Sequence, residues 1–236
     1  MLTSFYQTPL GILTQRLLAA RLAELWPHLA GEEILALGDI RPLWEVLTAQ
    51  GGRLFGFTES KEIKRLARAD PASVFSPPSL PLPVADASMD RVVALHFLEN
   101  LSNPADALDE IGRVLKGEGR LLLIIPNRHG IWARSKATPF GSGQAYSFYQ
   151  ISTLLKDQGF QIDRARGALY VPPVRSRLVL SLTDGLEKGG RCLFPSLGGV
   201  LLIEARKRIY APRPESTTAR ASIFSVPLPS SAIAQT

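Results

Sequence analysis

The stretch Leu80–Asn127, LPLPVADASMDRVVALHFLENLSNPADALDEIGRVLKGEGRLLLIIPN, decides the fold of this chain of 236 residues. Val92–Leu95 is a short apolar run with two β-branched residues, which predicts a strand. Apolar residues then recur at helical spacing over 104–116, before a glycine turn that predicts the end of the helix. Arg120–Ile125 follows as a second strand, of the kind that is buried on both faces. Two such strands joined by a helix form a right-handed βαβ unit of a parallel sheet.

This stretch resembles the second half of a class I S-adenosylmethionine-dependent methyltransferase, of the group that acts on small molecules. In that family an LPF…D…FD loop leads into the fourth strand, and a helix ending in E..RVLKPGG.L leads into the fifth. Here Gly117-Glu118-Gly119 stands in place of Pro-Gly-Gly. The resemblance implies an α/β fold with a doubly wound, mostly parallel seven-stranded sheet, the Rossmann-like class I methyltransferase fold.

Composition and charge are those of an ordinary globular protein, with 45% hydrophobic and 20% charged residues. No apolar run approaches the roughly 20 residues of a transmembrane helix, and the amino terminus lacks the pattern of a signal peptide. The single cysteine, Cys192, fits a reducing compartment, so we predict a cytoplasmic protein without a transmembrane segment. The net charge is +6, but five basic residues and one acid lie within 206–236. The charge therefore does not predict a specific nucleic-acid partner.

The pattern along the chain predicts three parts. Residues 1–30 form an N-terminal arm, irregular over 1–11, followed by a helix. Residues 31–209 form the methyltransferase-like domain, in which 128–149 is an inserted loop that can act as a lid. Residues 210–236 are rich in Pro, Ser, Thr and Ala without periodicity, which predicts a flexible tail.

The remaining elements follow from shorter patterns. Glu33–Leu37 and Arg53–Phe57 predict the first two strands, Lys61–Ala69 a basic amphipathic helix, and Val74-Phe75 a short third strand. Segments 149–158 and 175–186 predict two helices, and segments 160–164 and 199–205 predict a closing pair of strands. In the family this pair is antiparallel.

In the family, the cofactor lies beyond the carboxyl ends of the first, second and fourth strands. The usual first motif is an acid, a spacer and alternating glycines, which let backbone N–H groups approach the ligand. Here Ala36 stands at the acid position and Gly38 is the one glycine kept, while Ile40 and Pro42 replace the later two. The candidate cofactor-binding residues are Gly38, Asp39, Thr58, Glu59, Ser76 and Leu95.

Two further acids of the family pattern are replaced. Thr58 stands where a carboxylate would bind the ribose hydroxyls, and Glu59 substitutes only if the strand end is bulged. Ser76 stands where an acid would meet the adenine amino group. Two interpretations stay open. The chain binds S-adenosylmethionine in a divergent way and methylates a small-molecule acceptor, or it is catalytically inactive and binds a partner protein or another ligand in the same cleft.

His96 is the candidate catalytic residue, because family members often place a histidine or polar residue at this strand end, facing the methyl donor. It can act as a general base or orient a substrate hydroxyl; alternatively it is a histidine hydrogen-bonded to backbone. Aromatic and cationic side chains of the insertion, with one from the arm, suit an anionic or aromatic small molecule. These substrate-binding candidates are Tyr6, Arg128, His129, Trp132 and Tyr146. Three scattered histidines and one cysteine predict no metal site.

Overall fold

The computed structural model describes residues 2–57, 63–65, 81–174 and 182–208. One sheet holds the strands in the order β3-β2-β1-β4-β5-β7-β6. Their bounds are Glu33–Gly38 (β1), Arg53–Phe57 (β2), Ile63–Arg65 (β3), Met89–Leu95 (β4), Leu115–Pro126 (β5), Phe160–Ala168 (β6) and Val200–Lys207 (β7). β1, β2, β4 and β5 pair in parallel, whereas β3 and β7 run antiparallel to their neighbours. The predicted α/β fold with a doubly wound, mostly parallel sheet is confirmed.

Six α-helices lie within the described ranges. They are Leu2–Tyr6 (α1), Pro9–Leu25 (α2), Trp44–Ala49 (α3), Pro104–Val114 (α4), Phe148–Asp157 (α5) and Thr183–Leu193 (α6). The arm predicted to be irregular over 1–11 is therefore helical. Thr8 caps α2 by accepting a hydrogen bond from the backbone N–H of Gly11 at 3.1 Å, and Pro9 occupies the first turn, where its missing N–H costs nothing. No helix in the described ranges is both long and apolar enough to cross a membrane.

Two elements differ from the sequence prediction. Ile63–Arg65 lies within the predicted helix 61–69 but forms a strand, because its backbone pairs with β2 from Phe57↔Ile63 onwards and such pairing overrides local propensity. The glycine turn predicted at 117–119 lies inside β5, where Glu118 has a φ of +62°. The predicted strand 74–75, most of the predicted helix 175–186 and the tail 210–236 lie outside the described residues.

Each face of the sheet is covered by its own apolar cluster. Successive residues of β1 point to opposite faces, so Leu35 and Leu37 pack with α4 and α5, and Ile34 and Ala36 pack with α2 and α3. Ala36 is completely buried in that second cluster. An acid at this position would be buried among apolar side chains, at a substantial cost in free energy.

The carboxylate of Glu187 attaches α6 to the segment after β6. Its Oε1 accepts hydrogen bonds from the backbone N–H groups of Tyr170 at 2.5 Å and Val171 at 3.3 Å. Burial raises the pKa of this carboxyl above its ordinary value of 4.5, although the two donors act against that shift.

We expect this carboxyl to make stability depend on pH. Because its pKa is raised in the native state, this carboxyl binds more proton in the folded protein than in the unfolded chain from about pH 4.5 up to its native pKa. Its contribution to the free energy of unfolding should therefore fall as the pH rises through that range, opposite in sign to the contributions of Asp90 and Glu110, whose pKa values are lowered in the folded protein. Glu187→Gln keeps an oxygen for the two N–H groups and should reduce this slope, as measured by urea denaturation at a series of pH values. An identical slope in the variant would contradict the expectation.

Candidate functional site

The carboxyl ends of β1 and β4 are held together at Gly38. Gly38 has a φ of +77°, which glycine adopts without strain. A Cβ at this position would lie only 2.1 Å from the carbonyl oxygen of Leu95, and the backbone N–H of Asp39 donates to that same oxygen at 2.9 Å. Three of the predicted cofactor-binding residues, Gly38, Asp39 and Leu95, thus lie together at one edge of the sheet.

The turn after β1 is filled by its own side chains. The carboxylate of Asp39 is 6% exposed and accepts from Arg41 Nε at 2.7 Å, from its terminal nitrogen at 2.6 Å and from its backbone N–H at 3.3 Å. Ile40 is completely buried, and Pro42 is buried beside it. The space that the family's glycines leave open is therefore occupied here, and two N–H groups of the turn, those of Asp39 and Arg41, donate within the protein.

His96 directly follows β4 and has both ring nitrogens in contact with side chains. Nε2 lies 2.7 Å from the hydroxyl of Tyr6, and Nδ1 lies 3.3 Å from Oε1 of Glu99. The side chain is buried, with its ring 4.6 Å from that of Phe140. Its φ of +55° is uncommon for a residue other than glycine and is a conformation that clusters at functional sites.

Tyr6 remains protonated over the ordinary pH range. Burial raises the pKa of its phenol well above 10.0, and the negative charges of Asp39 and Glu99 raise it further. The Tyr6 hydroxyl therefore donates to Nε2 of His96, and the imidazole proton on Nδ1 faces Glu99, which only accepts as a carboxylate. This is the tautomer that satisfies both contacts.

Two polar atoms near His96 are buried without a hydrogen-bond partner among the described residues: Oε2 of Glu99 and the hydroxyl of Tyr146. Burial, followed by the charge of Glu99, raises the pKa of the Tyr146 phenol. Leaving a buried polar atom unpaired costs about 1–3 kcal/mol. Such atoms in a folded protein call for an explanation, and a ligand that pairs with them is one.

The other substrate-binding candidates lie elsewhere. Trp132 is a core residue, since it is 1% exposed and its Nε1 donates to the carbonyl of Val171 at 2.7 Å. Arg128 and His129 are exposed, and His129 lines a separate cavity. Thr58, Glu59 and Ser76 lie outside the described residues.

From the sequence, Glu99 could orient His96, although the start of a helix is the simpler assignment, and Phe140 is one of the aromatic side chains of the insertion that could line a cavity. The spacing His96-x-x-Glu99 is the signal for the first contact, because the turn Leu98–Asn100 brings residues three apart onto one side. No local pattern joins Phe140 to His96, since Phe140 lies in an irregular segment of the insertion. In the part of the chain that the structure describes, no group of His, Cys, Asp and Glu could hold a metal ion.

Comparison with known proteins finds a similarity to one domain family over part of the chain. Residues 43–123 match the sequence model of the family described as "Methyltransferase domain". Two proteins of Mycobacterium tuberculosis, from two strains and both named as probable S-adenosylmethionine-dependent methyltransferases, are 34% identical over 94 residues. That match covers 39% of this chain and 34% of each relative, so the matched segment spans about a third of the length of these curated relatives.

Solved structures share the fold. An S-adenosylmethionine-dependent methyltransferase from Archaeoglobus fulgidus superposes with a TM-score of 0.55 at 18% identity, covering 82% of this chain and 94% of that one. A Haloferax volcanii chain assigned as a methyltransferase, in complex with the Trm112 methyltransferase activator, gives 0.58 at 17% identity, covering 81% and 89%. The [4+2]-cyclase SpnF gives 0.52 at 19% identity, covering 83% and 81%. This chain thus has the class I methyltransferase fold, as its sequence predicts, and residues 43–123 resemble the methyltransferase domain family.

Proposed function

We propose that this methyltransferase-domain protein transfers a methyl group from S-adenosylmethionine to a small molecule with an ionisable O–H or N–H group. The observation that supports this most directly is the contact of Tyr6, His96 and Glu99 at the carboxyl ends of β1 and β4. Ligands of doubly wound sheets bind at that edge. The three side chains form a donor–base–carboxylate series of the kind that activates a nucleophile.

The described residues fit the cationic end of this cofactor in part. The buried Glu99 has an unpaired carboxylate oxygen, which suits a sulfonium or ammonium group. The turn after β1 departs from the family's usual cradle, because Ile40 and Asp39 fill it as described above. We therefore assign the recognition of positive charge to Glu99 rather than to backbone N–H groups of that turn.

Tyr6 and His96 would remove the proton of the acceptor. When bound, S-adenosylmethionine supplies the methyl group on its sulfonium. As the acceptor oxygen or nitrogen gains a methyl group, its proton passes to the phenolic oxygen of Tyr6, whose own proton passes to Nε2 of His96. The imidazolium that forms is stabilised by Glu99 at Nδ1, and Tyr6 ends as it began, neutral. General-base help of this kind contributes about 10²- to 10⁴-fold in rate.

Calorimetric titration tests both the cofactor and the role of Glu99. S-adenosylmethionine carries a positive sulfonium, whereas S-adenosylhomocysteine carries a neutral thioether. The protein should bind both, and Glu99→Gln should weaken S-adenosylmethionine about tenfold more than S-adenosylhomocysteine, because only the sulfonium gains a charge–charge attraction to the carboxylate.

The matched control is Glu118→Gln, whose carboxylate is exposed on β5 and paired with Arg206; it should leave both affinities unchanged. No heat with either compound would refute the proposal and favour an inactive protein that binds something else in the cleft. Equal weakening of both compounds by Glu99→Gln would show that Glu99 does not recognise the sulfonium, because the two compounds carry the same ammonium group.

A further inference from the structure

A cavity of about 400 Å³ opens beyond the carboxyl end of β6, and His96 does not line it. β6 runs parallel to β5, because each is antiparallel to β7, so the cavity opens at the same edge of the sheet as the candidate site. Its wall is mainly apolar and includes Phe148, Ala165, Tyr170 and Leu201. The volume is within the usual range for a small-molecule site.

Among the described residues, two guanidinium groups line this cavity, and neither has a carboxylate closer than 4.0 Å. The hydrogen bond of Arg166 in the structure goes to the carbonyl of its own neighbour, Ala165, at 3.0 Å. Arg191 lies 4.0 Å from Glu24, which is itself bound by Arg21 at 2.6 Å. In the part of the chain that the structure describes, no Asp or Glu lines the cavity. The site therefore presents positive charge beside an apolar wall, which is complementary to an anion with an apolar body.

Hydrogen bonds hold the wall in place. Asn127 is buried, and its side-chain amide donates to the carbonyls of Ser196 at 2.8 Å and Gly198 at 2.7 Å. The hydroxyl of Tyr170 donates to the carbonyl of Pro195 at 2.8 Å. These bonds tie the end of β5 and the segment after β6 to residues 195–198, so the cavity is formed before any ligand enters. A preformed site loses less entropy on binding.

The rim extends the apolar surface outward. Phe148, which also lines the wall, is 47% exposed, and Phe194, next to the lining residue Pro195, is 56% exposed. Large apolar side chains exposed together around a cavity mark a ligand or partner surface more often than solvated surface. A ligand whose apolar part is longer than the cavity could therefore continue across this rim.

We propose that this cavity binds a small amphipathic carboxylic acid. Its carboxylate meets Arg166 and Arg191, and its chain or ring lies against Phe148, Tyr170 and Leu201. The sequence predicts a cavity for an anionic or aromatic molecule in the insertion, and two side chains of that insertion, His129 and Phe148, line this one. The proposal does not rest on methyl transfer, because the site is defined without His96 or the cofactor.

The test is calorimetric titration of the protein, without cofactor, with two probes of equal chain length and opposite charge: decanoate and decyltrimethylammonium. Decanoate should bind at least about tenfold more tightly, since only it can accept hydrogen bonds from the guanidinium groups. The double variant Arg166→Gln/Arg191→Gln should lose about tenfold or more of the decanoate affinity and little of the affinity for the cation.

Lys188→Gln is the matched control, because it removes one positive charge from α6 outside the cavity lining. It should change the decanoate affinity less than about twofold, since exposed charges are screened by solvent and salt. Three results would each overturn the proposal: no binding of decanoate, equal binding of the two probes, or an unchanged affinity in the double variant that keeps its wild-type thermal transition.

Discussion

His96→Ala should lower the turnover number by about 10²- to 10⁴-fold and change the affinity for S-adenosylmethionine little. Among the described residues, the imidazole is the group in contact with the Tyr6 hydroxyl that can take its proton. A well-placed general base contributes a factor of that size. The measurement is the initial rate of S-adenosylhomocysteine formation with an acceptor found by screening small hydroxy and amino compounds. Calorimetric titration of the cofactor is carried out on the same variant.

Tyr6→Phe separates proton transfer from packing. It removes the hydroxyl that lies 2.7 Å from Nε2 of His96 and keeps the ring that packs beside Phe5. A relay through this hydroxyl predicts a loss in turnover comparable with that of His96→Ala. His28→Ala, which changes an exposed histidine, should retain wild-type turnover. If His96→Ala instead weakened cofactor binding and left turnover intact, the assignment of His96 as the base would be wrong.

Gly38→Ala should destabilise the fold clearly more than Gly31→Ala. Both glycines have a positive φ, +77° and +80°. Alanine at either position should therefore lower the free energy of unfolding by about 1–2 kcal/mol, because it must adopt a left-handed conformation. A Cβ at Gly31 meets no atom within 4 Å, whereas one at Gly38 lies 2.1 Å from the carbonyl oxygen of Leu95. Forcing β1 and β4 apart should add about 1–3 kcal/mol.

Thermal unfolding of the two variants measures this difference. In a protein of this size each kcal/mol shifts the transition by roughly 2–4 °C, so Gly38→Ala should melt several degrees below Gly31→Ala. Equal shifts of the two thermal transitions would mean that the ends of β1 and β4 tolerate separation. Glycine would then be needed at position 38 for its backbone conformation alone. The pair also shows why a bulky substitution at Gly38 is a poor probe of cofactor binding, since it would disrupt the fold first.

Local sequence patterns are sufficient to predict the βαβ unit that ends in β5. Val92–Leu95 and Arg120–Ile125 are short apolar runs, which are buried more completely as strands than as helices. The segment between them has helical periodicity. These signals are local, because each depends on residues within a few turns or pleats of one another. The position of His96 followed from the same pattern, since the residue after a buried strand lies at the edge of a sheet.

The contacts of His96, in contrast, depend on long-range packing that no local pattern predicts. Tyr6 lies 90 positions away in the chain, and Phe140 belongs to a segment without periodicity, so no local pattern joins either of them to a strand end. The same holds for Ile63–Arg65, which is a strand because β2 pairs with it, and for Arg166 and Arg191, which share a cavity although one follows the other by 25 positions. Hydrophobic periodicity records which face of an element is buried, but the partner that buries it is chosen by packing across the whole fold.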